Sequence, residues 1–159
     1  MWDAPITVPD QSLEADWIDY NGHLNMAYYS VLFDRGVDHV YDLLGIGAEY
    51  VRNEAGSCFT MEVHLNYLSE LTLDDPVSVT FQLIDRDAKR LHFFQTMTNR
   101  NTGETAATSE QLALHVDMVD RRSAPFPEPI LERIESLFEA HRHLPKPELL
   151  GRVIGIRKK

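Results

Sequence analysis

Asn25-Met-Ala-Tyr-Tyr-Ser-Val-Leu-Phe-Asp-Arg-Gly-Val-Asp-His-Val-Tyr-Asp-Leu-Leu44 reads as one long helix, and the rest of the chain must be arranged around it. Tyr29, Leu32, Phe33, Gly36, Val40, Leu43 and Leu44 recur at helical spacing and make a continuous apolar stripe. Ser30, Asp34, Asp38 and Asp42 fall on the other side. Asn25 has the chemistry of an N-cap, and Gly45 and Gly47 stop the helix. Glycine in mid-helix costs about 1 kcal/mol relative to alanine, so Gly36 predicts a neighbour packed closely against that turn.

Immediately upstream lies Asp19-Tyr-Asn-Gly-His-Leu-Asn25. Asp19 is the only acid between Asp16 and Asp34, and Gly22 lets the chain turn sharply before the helix begins. A carboxylate facing the free N–H groups of a helix start combines a base or nucleophile with a cradle for an oxyanion. That pairing suits hydrolysis of an activated acyl group.

Downstream the period changes from 3.6 to 2. Phe59, Met61, Val63, Leu65 and Tyr67 alternate with polar residues, as do Val77, Val79, Phe81 and Leu83. Turns at Asp74-Asp-Pro76, Asp87-Ala-Lys-Arg90 and Asn101-Thr-Gly103 separate these strands from Leu91–Thr98 and from a last strand over about Thr105–Met118. Before the helix, Pro5 and Pro9 punctuate a loose start, and Ser12–Ile18 is read as a short strand. Pro125, Pro127 and Pro129 precede a terminal amphipathic helix carrying Ile130, Leu131, Ile134, Leu137 and Phe138. Hairpin-length turns imply antiparallel neighbours. The predicted fold is α+β, with a five-stranded antiparallel sheet curved around one long helix and a C-terminal helix. Open sheet edges predict pairing with further copies, as a homodimer or homotetramer.

The 159 residues favour a single domain, over residues 1–141, followed by a basic tail over 142–159. The tail's six basic residues against Glu148 give it +5; the whole chain is −10, so residues 1–141 carry −15. Such an acidic domain repels nucleic acid. The tail reads either as a solvated segment that improves solubility or as a phosphate-binding patch. No apolar run is long enough to span a bilayer, and Met1-Trp-Asp-Ala-Pro5 lacks the pattern of a secretory signal. Cys58 is the single cysteine, which excludes an intramolecular disulfide. These features predict a cytoplasmic protein. Nucleophile-elbow, P-loop, dinucleotide and H-E-x-x-H signatures are absent from the sequence, and its seven histidines are scattered. His141 and His143 sit in what reads as a mobile tail, so neither a metal nor an organic cofactor is expected.

Asp19-x-x-Gly22-His23-x-Asn25, followed by a tyrosine-bearing helix, resembles the signature of hotdog-fold acyl-CoA thioesterases of the 4-hydroxybenzoyl-CoA thioesterase type. The likeness runs from about Ser12 to Asp117 and continues through Arg121–Pro129. Within that family Trp17–His23 is most similar to the betainyl-CoA branch of carnitine breakdown. The resemblance implies a hotdog fold and cleavage of an acyl-CoA to a carboxylic acid and free CoA. It also implies that Asp19 attacks the thioester carbonyl or activates water, and that the Met26 N–H is the oxyanion donor. The alternative reading of Asp19 is that it only caps the helix or turn. His23 either polarises the carbonyl or holds its own turn together. Asn25 is a cap first and a substrate contact second. Glu62, with His64 and Asn66, is either an accessory group near a neighbouring copy's Asp19 or part of a solvated strand face.

Aromatic faces and negative potential recognise a quaternary ammonium, which has no hydrogen-bond donor. Trp17, Tyr20 and Tyr28, with Tyr29, are the candidates for such a contact, against the alternative that they are packing material. Lys89, Arg90, Arg100, Arg121, Arg122 and the basic tail are candidates for the CoA phosphates, and the sequence does not choose among them. Two other functions fit the same fold: a dehydratase, which lacks a histidine-led motif here, and a module that binds an acyl thioester or quaternary amine without turnover.

Overall fold

The computed structural model describes residues 1–156. Helix α1 spans Met26–Leu44 and begins as its sequence predicts, with the Asn25 side chain accepting a hydrogen bond from the Ala27 N–H. It stops at Gly45, where Arg133 donates to the Leu44 carbonyl at 2.9 Å. The buried face comprises Tyr29, Leu32, Phe33, Gly36, Val37, Val40, Tyr41 and Leu44. Leu43, placed on the stripe by its spacing, is instead exposed. The close neighbour expected at Gly36 is Gln95: a Cβ there would lie 2.7 Å from its Nε2 and 3.3 Å from Val79 Cγ1.

The strands are β1 (Ile6–Gln11), β2 (Gly56–Tyr67), β3 (Val77–Arg86), β4 (Arg90–Asn99), β5 (Thr105–Asp117) and the two-residue β6 (Arg122–Ser123). They form one antiparallel sheet in the order β1-β3-β4-β5-β2, with β6 beside β5. The first strand is therefore Ile6–Gln11 and not Ser12–Ile18. Pro9 sits on the sheet edge at an irregularity between Val8 and Gln11, where a missing N–H is tolerated. Within Ser12–Ile18 the buried residues are Leu13 and Trp17, four apart, and Ala15–Trp17 forms a 3₁₀ turn. β6 makes the sheet six-stranded.

Helix α1 crosses the inner face of the sheet. Phe81, Leu83, Leu91, Phe93 and Ala113 meet its C-terminal half, while Val77, Val79 and Met97 meet its N-terminal half. In β5 the inner face is Ser109-x-Gln111-x-Ala113, and Leu112 and Leu114 lie half-buried on the other side. A short helix α2 (Ala48–Glu54), which the periodicity does not announce, follows Gly47.

Helix α3 (Glu128–His141) buries Ile130, Ile134 and Leu137 against the C-terminal half of the core. His141 is no part of a mobile tail. It is buried, its Nδ1 accepting from the Leu83 N–H at 2.9 Å and its Nε2 donating to the Asp3 carbonyl at 2.9 Å. Beyond it the chain lies back on the sheet: Gln82 donates to the Pro145 carbonyl at 3.3 Å, and the Gly151 N–H donates to Glu110 at 2.7 Å. Arg157, Lys158 and Lys159 of the basic tail fall outside the described residues. No described helix is long and apolar enough to cross a membrane.

Candidate active site

Trp17–Asn25 folds as a miniature hairpin docked on the start of α1. Ile18 pairs with Leu24, the Asp19 N–H donates to the His23 carbonyl at 3.0 Å, and the Asn25 N–H donates to the Trp17 carbonyl at 2.9 Å. The loop Tyr20-Asn21-Gly22 is closed by the Gly22 N–H on the Asp19 carbonyl at 2.9 Å, with Gly22 at φ +83°. A three-residue loop ending in a left-handed residue is the reason glycine stands there. The Leu24 N–H donates to the Leu71 carbonyl at 2.7 Å and fastens the hairpin to the body.

This hairpin carries Asp19 on the strand that precedes the helix. Along the ladder Asp19 stands two residues from the Trp17–Asn25 pair, about 7 Å in the strand direction. One oxygen, Oδ1, accepts from the Asn21 N–H at 2.8 Å, so the carboxylate is oriented by its own turn while Oδ2 has no such tie. In the first turn of α1, Ala27 and Tyr28 donate to the Asn25 side chain and carbonyl. The Met26 N–H has no acceptor among the described residues and sits at the positive end of the helix dipole. Met26's side chain is exposed. His23 Nδ1 lies 3.4 Å from the Leu24 carbonyl, and its Nε2 is 3.9 Å from Glu70, contacts that belong to the turn.

A groove of about 640 Å³ opens between the first half of α1 and the edge strand β2. Met26, Ser30 and Asp34, at i, i+4 and i+8, form one wall; Val63, Leu65 and Tyr67 form the other; Ser109 and Gln111 form the floor. Tyr67 closes one end by donating to the Met26 carbonyl at 3.1 Å. Beneath the floor runs a buried amide relay: Gln111 Nε2 donates to Ser109 Oγ at 2.9 Å and to Gln95 Oε1 at 3.2 Å, and Gln95 Nε2 donates to the Phe33 carbonyl at 3.1 Å. Among the described residues Asp34 is the only carboxylate lining the groove, and no basic residue lines it. Further along the same row, burial raises the Asp38 carboxyl above its ordinary value, and the charges of Asp34 and Asp42 add to that. Cys58 is no nucleophile here: burial pushes its thiol up to about 12.

Of the aromatic candidates, Trp17 and Tyr28 pack together and Tyr20 stands apart. Trp17 is buried, stacks on Tyr28 at 5.2 Å, and has the Arg35 guanidinium over its ring at 5.0 Å. Tyr20 stands at the hairpin tip, 97% exposed. Glu62 also lies elsewhere, in a separate hollow of about 580 Å³ on the outer face of the sheet, with His64, Arg90, His92 and Glu110. The basic residues divide in two. Arg100 pairs with Asp10 at 3.3 Å. Lys89, Arg90, Arg121 and Arg122 gather at the opposite end of the sheet, where Lys89 Nζ meets Ser123 at 3.3 Å and the Phe126 N–H donates to the Ala88 carbonyl. There Arg90 is held by Asp87, whose carboxyl that hydrogen bond keeps below its usual range. Arg121 is exposed on the turn after β5.

The sequence reading missed Asp34, Ser109, Gln111 and Tyr67 as groove residues. The row 26-30-34 was available in the helical spacing. The inward phase of β5 was not, because its outer face is the more apolar one.

Residues 13–134 match the family model described as the thioesterase-like superfamily. Over 151 residues the chain is 40% identical to betainyl-CoA thioesterase of Pseudomonas aeruginosa, covering 95% of each. It is 35% identical over 154 residues to an L-carnitine dehydrogenase/betainyl-CoA thioesterase of a Rhizobium species, of which it spans 31%. Among solved structures, a hypothetical protein of Staphylococcus aureus in complex with CoA superposes with a TM-score of 0.89 at 33% identity, over 99% of both chains. The chain belongs to the thioesterase-like superfamily and has its hotdog fold. Its reaction is hydrolysis of an acyl-CoA thioester.

Proposed function

We propose that this thioesterase acts on a short acyl-CoA whose acyl end carries a fixed positive charge, with betainyl-CoA as the substrate. The observation that carries this reading is the α1–β2 groove, which presents one carboxylate, Asp34, and no cation. Eight residues of helix separate the Met26 and Asp34 positions, about 12 Å along the axis. A trimethylammonium two bonds from the carbonyl carbon is drawn along the groove by the Asp34 carboxylate. A neutral long chain gains nothing from a charged groove end, and an acyl carboxylate is repelled by it. The identity to a betainyl-CoA thioesterase supports the same substrate.

In this reading Asp19 delivers the attack on the thioester carbon, directly through Oδ2 or through a water that it deprotonates. Charge developing on the carbonyl oxygen is received by the Met26 N–H, with the helix dipole behind it, and CoA leaves as the thiolate. Asn25 keeps the helix start in place by capping it, and His23 holds the turn. A CoA ester is met in the cytoplasm, and a lone half-buried cysteine suits a reducing compartment.

The working form is a pair of chains joined along β2. That strand has one neighbour among the described residues, β5, and exposes Phe59, Met61, Val63 and Tyr67. Antiparallel pairing of β2 with its copy brings the partner's Gly56 end beside this chain's Tyr67 and Met26. The Lys89–Arg90 and Arg121–Arg122 turns lie at that Gly56 end, since the Met118 N–H bonds to the Ala55 carbonyl. CoA phosphates are then received by the second chain.

The test is thiol release from betainyl-CoA compared with butyryl-, benzoyl- and palmitoyl-CoA. Betainyl-CoA is expected to have the highest kcat/KM, and preference for palmitoyl-CoA rejects the assignment. Asp19→Asn is expected to lower kcat on the order of 10²–10⁴-fold while substrate affinity persists. Asp34→Asn is expected to lower kcat/KM about tenfold for betainyl-CoA and to leave butyryl-CoA unchanged, equivalent to about 1.4 kcal/mol of selectivity.

A further inference from the structure

We infer that residues 152–156 form an arm that clasps a second copy of this chain across the β2 edge. The inference rests on the two-chain reading above and assigns a role to the basic segment that the catalytic site leaves unused. Leaving α3, the chain crosses the outer face of the sheet in a definite direction. Pro145 is tied to Gln82 on β3, and six residues later Gly151 is tied to Glu110 on β5. In the strand order β1-β3-β4-β5-β2 this path runs toward the open edge. It has then covered two strand spacings, about 10 Å, and only β2 remains, about 5 Å further. Residues 152–156 can extend about 16 Å, enough to pass β2 and cross a seam.

Their composition fits that destination. Val153, Ile154 and Ile156 are 86%, 86% and 94% exposed, so they do not rest on this chain's own β2. Three branched apolar side chains left in water forgo their hydrophobic stabilisation, which a partner surface restores. Met61 on β2, 56% exposed, extends the same apolar zone up to the edge. Charge selects the partner. Arg152 has no ion pair among the described residues, the sequence continues with Arg157, Lys158 and Lys159, and residues 1–141 of any second copy carry a net −15. The outer face that a clasping arm would meet presents Glu62 and Glu110. A second copy of this chain is the occupant that satisfies both the apolar and the charged parts.

Sedimentation velocity over a dilution series tests the arm, comparing the native chain with a Val153→Ser/Ile154→Ser/Ile156→Ser variant and with Met61→Asp. The triple variant alters only exposed side chains, so its circular dichroism is expected to match the native chain while its dimer dissociation constant rises at least tenfold. An unchanged constant, with Met61→Asp dissociating normally, overturns the arm and leaves the β2 pairing standing. If Met61→Asp also fails to dissociate the protein, the two-chain reading falls and takes the arm with it. A photo-crosslinking residue at position 154 gives the second readout. Covalent dimers are expected; crosslinks confined to one chain overturn the proposal. So does a triple variant that loses CoA affinity with its self-association intact, which would make the segment a phosphate site.

Discussion

Gly36 shows how one residue ties the helix to the groove floor. Its missing side chain admits Gln95 Nε2 to the Phe33 carbonyl, and Gln95 in turn holds Gln111. Alanine gains about 1 kcal/mol of helix propensity but places a methyl 2.7 Å from that amide and 3.3 Å from Val79. Overpacking of a filled core costs about 1–3 kcal/mol, and here displacing Gln95 also strands a buried amide. Gly36→Ala is therefore expected to lower stability by about 1–2 kcal/mol net, read from the midpoint of urea unfolding. The sequence announced that something packs against this glycine, because a costly residue in mid-helix needs a reason. It did not announce a glutamine relay, since Gln95 and Gln111 sit in strands whose polar residues read as outward-facing. Asp19, Gly22 and Asn25 were legible for the opposite reason: their turn and cap chemistry is local. Trp17 takes its partners, Tyr28 and Arg35, from a stacking arrangement that linear spacing does not encode.

Among the elements, α3 depends on a neutral imidazole. His141 Nδ1 accepts from the Leu83 N–H, and burial holds its pKa below the ordinary 6.5, with the bond to the Asp3 carbonyl only partly offsetting this. The unfolded chain takes up this proton more readily than the folded one, so stability rises with pH across the interval between the two values. The contribution is full above about 6.5 and is lost as pH falls toward the lowered folded value. Thermal unfolding of the native chain is expected to fall off below that pH. In His141→Gln, whose amide can both accept and donate without titrating, this part of the pH dependence is expected to disappear. An identical profile in both proteins would show that His141 is not the group responsible. The periodic elements, α1, α3 and four of the strands, were legible in the sequence to within a few residues. β1 was misplaced because Pro9 reads as a breaker until the strand is known to lie on an edge. Helix α2 was hidden between two glycines.

At the scale of the molecule, the groove is bounded by a strand with one neighbour, so in the proposed two-chain form the acyl site and self-association share a wall. Met61→Asp puts a charge on that open edge, and it is expected to yield monomers in sedimentation and to lower kcat/KM in proportion to the monomer fraction. Full activity in a monomer would sever the two. The two margins of the sheet are unlike. On the far side, β1 is short, broken by Pro9 and a register shift, and flanked by the Asp10–Arg100 ion pair. Such a margin offers no template for another strand. In the proposed like-with-like union through the other margin, growth along the hydrogen-bonding direction would terminate at two, because the β1 margin, with its proline, register shift and ion pair, gives a polymeric ribbon no second place to extend.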